Sequence, residues 1–269
     1  MHASIPEFTR ALAESAGELI RRERLAVQGL TSAYKGGTEL VTNADLQADH
    51  YICDAIRARF PGHRILAEES APDMLDLSAW QGPLWIIDPI DGTVNYAHGH
   101  FQSAVSIAYA EHGRVQCGVV CNPFVSETFH AVPGGGAWLN DTPIQVAQKT
   151  ELRRAIVATG FPYIKGDMTQ IVRRLALVLQ ECADIRRLGA ASLDICWVAM
   201  GRLDGYYENL SVWDFAAAQL IAREAGAQYG HFKPVPEGIS PEFHHQNILV
   251  ANPALYPQLH ELLNRADRG

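Results

Sequence analysis

The run Leu84-Trp85-Ile86-Ile87-Asp88-Pro89-Ile90-Asp91-Gly92-Thr93 constrains this chain more than any other segment. Four consecutive apolar residues read as a strand buried on both faces, and an acid follows at once. Pro89 has no N–H to give to a ladder, so the reading ends the strand at Asp88 and puts a turn behind it. Such a turn aims Asp88 and Asp91 into one space. Gly92 lets the backbone approach a ligand, and the N–H groups of Gly92 and Thr93 are then available to an anion. Two hard oxygen ligands beside an anion cradle are what magnesium-assisted phosphoryl transfer needs. Asp-Pro and Asp-Gly are also ordinary turn dipeptides, so the segment by itself leaves the function open.

The surrounding pattern is a mixture of helices and strands. Ile5, Phe8, Leu12 and Leu19 form one helical stripe near the N-terminus, which reads as a mature helix and not as a signal peptide. A polar loop, Lys35-Gly36-Gly37-Thr38-Glu39, follows. A second helix starts near Thr42 with Asp45 three positions on, carries Leu46, Ile52, Ile56 and Phe60 on its apolar face, and stops at Pro61-Gly62. Ile65-Leu66 makes a short strand into Glu68-Glu69. Residues 104–132 read as a meander that turns at Glu111-His112-Gly113, and Ala155–Ala158 is a further strand. Helices are expected over Thr169–Cys182, Ala191–Met200, Trp213–Glu224 and Pro253–Ala266, with extended segments at Asp204–Tyr207 and Asn247–Ala251. Asp214 reads as the cap that opens the third of these helices. The order implies an α+β or layered α/β architecture, with 1–269 forming a single domain of two closely joined lobes, about 1–150 and 151–269.

Charge and cysteine usage exclude some functions. The net charge is −8 and there is no basic block, which argues against nucleic-acid binding. No apolar run reaches bilayer length, so no membrane association is expected. The five cysteines, Cys53, Cys117, Cys121, Cys182 and Cys196, are odd in number and form no CxxC pair. That pattern fits reduced thiols in a cytoplasmic protein, with Cys117 and Cys121 as core filler. His98 and His100 are nitrogen donors that hard Mg²⁺ does not prefer, so they are assigned to structure or surface. Gly134-Gly135-Gly136 lacks the GK[ST] of a phosphate loop and reads as a turn. Ser192 belongs to no recognisable triad, and His244-His245 read as exposed loop.

Taken together, Glu68-Glu69-Ser70, the stretch Trp85–Tyr96 and Trp213-Asp214-Phe215-Ala216-Ala217-Ala218 resemble the inositol monophosphatase family in order and approximate spacing. Val41–Asp45, Gly160-Phe161-Pro162-Tyr163 and the segment Arg186–Glu208 extend the resemblance over nearly the whole chain. It implies the layered αβαβα sandwich of the inositol monophosphatase and fructose-1,6-bisphosphatase type.

The resemblance also implies roles. Glu68, Asp88 and the main-chain carbonyl of Ile90 would hold one Mg²⁺, and Asp88, Asp91 and Asp214 a second. Glu68 and Glu69 would serve a weaker third. Gly92 and Thr93 would bind the phosphate of a small-molecule phosphate monoester. Asp45, Glu68 and Thr93 would be catalytic, with Thr93 hydrogen-bonded to Asp45 and activating water for direct attack on phosphorus. Asp91, Gly189, Ala190, Ala191 and Glu208 would contact the alcohol. Ala190 stands where many relatives carry a hydroxyl residue, and the Glu208–Asp214 stretch is one residue shorter than in the animal enzymes. Both departures bear on substrate identity. Val94-Asn95-Tyr96 after the DGT motif resembles the inositol phosphatase branch. Hydrolysis of inositol monophosphate, lithium sensitivity and a homodimer are therefore expected. Histidinol-phosphate or broad sugar phosphatase activity, including fructose-1,6-bisphosphatase, is the alternative, and a non-catalytic regulatory protein on the same fold is a third possibility.

Overall fold

Thr42 and Asp45 mark the first of several helix starts that orient the site. In a computed structural model, residues 3–25, 30–35, 37–71, 77 and 79–268 are described; Gly36, part of the expected polar loop, lies outside them. Helix α1 (Ile5–Leu25) buries Leu12, Ala13, Ala16 and Ile20 on one stripe. Strands β1 (Ser32–Lys35) and β2 (Glu39–Thr42) pair antiparallel on either side of Gly37-Thr38 in the expected loop, and neither strand was read from the sequence. Thr42 caps α2 (Asn43–Arg59), and its N–H donates to Asp45 Oδ2 at 2.8 Å, as a capping box does. The buried face of α2 is Ala44, Ala48, Ile52, Cys53 and Ile56. Leu46 is 45% exposed. Six positions from Ile52 at about 100° per residue leaves it roughly 120° away from that face.

Strand β3 (Arg64–Ala67) runs parallel to β4 (Leu84–Asp91), and α3 (Thr93–His98) follows. Strands β5 (Ala104–Glu111), β6 (Arg114–Asn122), β7 (Glu127–Ala131), β8 (Ala137–Leu139) and β9 (Thr142–Ile144) complete a meander in the order β3-β4-β5-β6-β7-β8-β9. The β5–β6 turn holds His112 at φ 55° and Gly113 at φ 70°, the left-handed pair that a two-residue hairpin requires. Beyond it come β10 (Ile156–Thr159), α4 (Thr169–Glu181), β11 (Asp184–Arg186), α5 (Ala191–Ala199), β12 (Gly205–Glu208), α6 (Val212–Glu224), β13 (Gln228–His231), β14 (Ile248–Ala251) and α7 (Tyr256–Arg268). The second sheet has the order β11-β10-β12-β14-β13. Strands β11 and β13 were not read from the sequence; both are short, half-exposed edge strands without an apolar alternation.

Three cores produce five layers. One core joins α1 and α2 to one face of the larger sheet, around Trp85, Ile87, Val105 and Val119. A second packs α5 and α6 between the two sheets, through Leu193, Phe215 and Ile221 on the helices and Tyr206 and Val250 on the smaller sheet. A third seats α7 on the outer face of the smaller sheet, through Leu249, Leu259 and Leu263. The result is the αβαβα sandwich. Close approach of α6 to β6 depends on Gly118, where a Cβ would lie 2.5 Å from the Ala217 carbonyl oxygen. All five cysteines are free and buried. The Gly134–Gly136 turn does bind a carboxylate, but an internal one. The N–H groups of Gly134 and Gly136 donate to Glu224 at 3.0 Å each.

Candidate active site

Residues three apart on a regular strand point to opposite faces. Asp88 and Asp91 nevertheless share a cavity, because β4 does not end at Asp88. It continues through Pro89 to Asp91, and the pairing with β5 steps from Asp88↔Ser106 to Asp91↔Ala104. Two residues on β4, Pro89 and Ile90, thus oppose one on β5, Val105. This one-residue bulge turns the second acid to the side of the first and accommodates a proline that cannot join the ladder. The expected turn is therefore a bulge within a continuing strand. Asp88 Oδ1 accepts the Ile90 N–H at 3.0 Å across it.

Each further acid arrives from its own element. The Glu68 N–H donates to the Ile87 carbonyl at 3.2 Å, extending the β3–β4 pairing and setting Glu68 beside Asp88. Asp214 is the third residue of α6, not its cap; Ser211 caps the helix, and its N–H donates to Asp214 Oδ2 at 2.7 Å. Asp91 meets the first turn of α5, accepting the Ala191 N–H at 3.2 Å and the Ser192 N–H at 2.7 Å. The Ser192 hydroxyl also donates to it. Ser192 thus fixes Asp91 from 101 positions away, a link with no local sequence signal.

Oxygen atoms of Asp88, Asp91 and Asp214 lie within 4.8 Å of one another. Burial pushes the Asp88 carboxyl well above the usual range, and Glu68, Asp91 and Asp214 push it further. Burial and then Asp91 raise Asp214. Burial also raises Asp91, although its bonds to Ser192 and Ala191 pull it back. Buried, mutually repelling carboxylates with no nitrogen or sulfur donor among them suit a hard divalent cation, which would hold them ionised.

Gly92 caps α3 in the left-handed region, at φ 84°. A Cβ there would lie 2.7 Å from the Gln102 carbonyl oxygen, so a side chain is excluded. The adjacent Thr93 hydroxyl donates to Asp45 Oδ1 at 3.0 Å. Asp45 is 1% exposed, and burial raises its carboxyl above the usual range against the pull of Thr42 and Thr93.

A cavity of about 750 Å³ gathers most of these residues. Glu68, Asp88, Ile90, Asp91, Gly92, Thr93, Gly189, Ala190, Ala191, Glu208 and Asp214 line it. Asp45 stands behind Thr93, and Glu69 is half-buried outside the lining. Tyr206 donates its hydroxyl to Glu208 in the same lining, and burial raises the Glu208 carboxyl to about 7. Gly160 leaves the room for Glu208, since a Cβ there would overlap that carboxylate. His98 and His100 are exposed and lie outside the lining. His244 is buried and His245 lines the cavity, so this pair is not the exposed loop that was expected. Arg187 and Asp194 also line the cavity, and Asp194 was not singled out from the sequence.

A family model for the inositol monophosphatase family matches residues 2–268. The chain belongs to the inositol monophosphatase family. Among curated members, Nus factor SuhB of Vibrio cholerae is 39% identical over 229 residues, 84% of each chain. The crystal structure of extragenic suppressor protein SuhB from Bartonella henselae superposes with a TM-score of 0.87 at 34% identity, covering 98% of this chain and 99% of that one. An IMPase from Thermotoga maritima gives a TM-score of 0.83 at 30% identity, with 97% of each chain covered. The family's fold thus extends over residues 2–268. Among the described residues, no helix is long and apolar enough to cross a membrane.

Proposed function

We propose that this protein is a magnesium-dependent phosphomonoesterase acting on a polyol monophosphate, with inositol monophosphate as the leading substrate. The observation that carries the reading is the bulge that turns Asp88 and Asp91 together, with Asp214 within 4.8 Å, beside Gly92 and Thr93. Asp88, Asp91, Asp214, Glu68 and the Ile90 carbonyl would hold two Mg²⁺ ions. When bound, such ions neutralise phosphate charge, acidify water and stabilise the departing alkoxide.

The chain's own groups do the rest. Gly92 and Thr93 receive the phosphate at the start of α3. Thr93 orients the attacking water: its oxygen accepts a hydrogen bond from the water, and as the water's proton moves to Thr93 the threonine's own proton passes to Asp45. Burial makes Asp45 a stronger proton acceptor than an exposed aspartate. Glu208 lines the same cavity, where its carboxyl accepts hydrogen bonds from hydroxyls on the alcohol. Ser192 keeps Asp91 in one rotamer, so the acid is aimed before substrate enters.

The name of the curated relatives supports a second reading, in which the chain works as a Nus factor in a transcription assembly. The two readings separate in one experiment. Phosphate release is measured with Mg²⁺ over inositol, histidinol and sugar monophosphates, for the wild type and Asp88→Asn. Turnover that is highest for inositol monophosphate and at least about a thousandfold lower in the variant supports the enzyme. A folded wild type that releases phosphate from none of them sinks it and leaves the assembly role.

A further inference from the structure

Asp194 sits in the first turn of α5, two positions after Ser192, which binds Asp91, and lines the same cavity. It is 2% exposed, and its Oδ1 has no hydrogen-bond partner among the described residues. Buried carboxyl oxygens are nearly always paired, because leaving one bare costs free energy that packing does not return. Among the described residues its neighbours offer it no hydrogen bond, although the Arg187 charge partly offsets the burial of its carboxyl. Ala190, Ala191 and Leu193 are apolar, and Arg187 forms no ion pair with Asp194 among the described residues, its guanidinium lying 5.6 Å from the Phe161 ring centre. The nearby Glu208 is already engaged by the Tyr206 hydroxyl. The cavity wall therefore carries one carboxyl oxygen that the described residues leave unpaired, in the first turn of α5 beside Asp91.

We propose that Asp194 is a specificity-determining residue that accepts a hydrogen bond from a hydroxyl of the leaving alcohol, beside the one Glu208 accepts. The inference deepens the phosphatase reading and rests on it. A leaving group with a single hydroxyl satisfies one carboxyl and leaves the other bare. A cyclic polyol carries hydroxyls on adjacent carbons and satisfies both. The site is thereby tuned to polyhydroxy alcohols and discriminates against simple alkyl or aryl phosphates. Discrimination of this kind is strong because the wrong substrate strands a buried polar group.

The test compares wild type, Asp194→Asn and Asp194→Ala on inositol 1-phosphate and p-nitrophenyl phosphate with Mg²⁺. The readout is the ratio of the two kcat/KM values. Asp194→Ala lowers that ratio by about tenfold to a hundredfold, and the isosteric Asp194→Asn, whose amide oxygen still accepts, lowers it clearly less. A ratio within about twofold of wild type in Asp194→Ala, or an Asn variant as impaired as Ala, overturns the proposal. Equal losses on both substrates also overturn it, since they mark a structural residue. Wild type that cleaves p-nitrophenyl phosphate without preferring the polyol ester refutes the inference and leaves the phosphatase reading standing. Wild type that cleaves neither refutes the phosphatase reading. Asp194 is then judged by NMR titration with free myo-inositol, where saturable binding lost in Asp194→Ala supports it and no binding to wild type overturns it.

Discussion

Replacing Glu208 by Gln should make the metal-free protein more stable at neutral pH and not at acid pH. Burial, opposed by the Tyr206 hydrogen bond and Arg187, raises this carboxyl from 4.5 to about 7. Between those values the folded chain keeps a proton that the unfolded chain releases. Wild type therefore loses stability as pH rises through the window, because the folded state binds more protons there. A rise of that size corresponds to roughly 3 kcal/mol above pH 7, at about 1.4 kcal/mol per unit, as an upper bound. A glutamine has no ionisation to suppress and keeps an oxygen for the Tyr206 hydroxyl. The assay is urea unfolding of both proteins in EDTA from about pH 4.5 to about pH 8. The variant should gain little at the acid end and about 2–3 kcal/mol at the other. Parallel stability curves across the window would refute the burial argument.

Two further outcomes follow from the same geometry. Adding Mg²⁺ at about a hundred times its Kd should stabilise the native state by about 2.7 kcal/mol, or roughly 5–10 °C in Tm, because it removes the repulsion among Asp88, Asp91 and Asp214; a Tm that EDTA and Mg²⁺ leave alike would count against the site. Gly92→Ala should destabilise by about 2 kcal/mol or more, from a left-handed backbone and a Cβ at 2.7 Å from the Gln102 carbonyl oxygen; denaturation curves that superimpose on the wild type would show that the turn relaxes freely.

Local chemistry was legible along the chain. Thr42 with Asp45 starts α2, His112-Gly113 closes a hairpin, and the apolar run before Asp88 is a buried strand, because each depends on neighbours within a few positions. Helical spacing misled at Leu46, which faces solvent, and the capping preference of aspartate misled at Asp214, whose helix begins two residues earlier. The acids beside a glycine turn raised metal and phosphate chemistry as one reading, although the turn dipeptides by themselves left the function open. Their convergence was another matter. Whether Asp88 and Asp91 face one way depends on a bulge in the β4–β5 register, which is a property of two strands and not of one. Ser192 reaches Asp91, and Asp194 and Glu208 meet the same cavity, only because α5 is clamped between the two sheets. Sequence patterns carry the periodicity of single elements. The positions of side chains a hundred residues apart are set by how layers pack, and that information exists only in the folded chain.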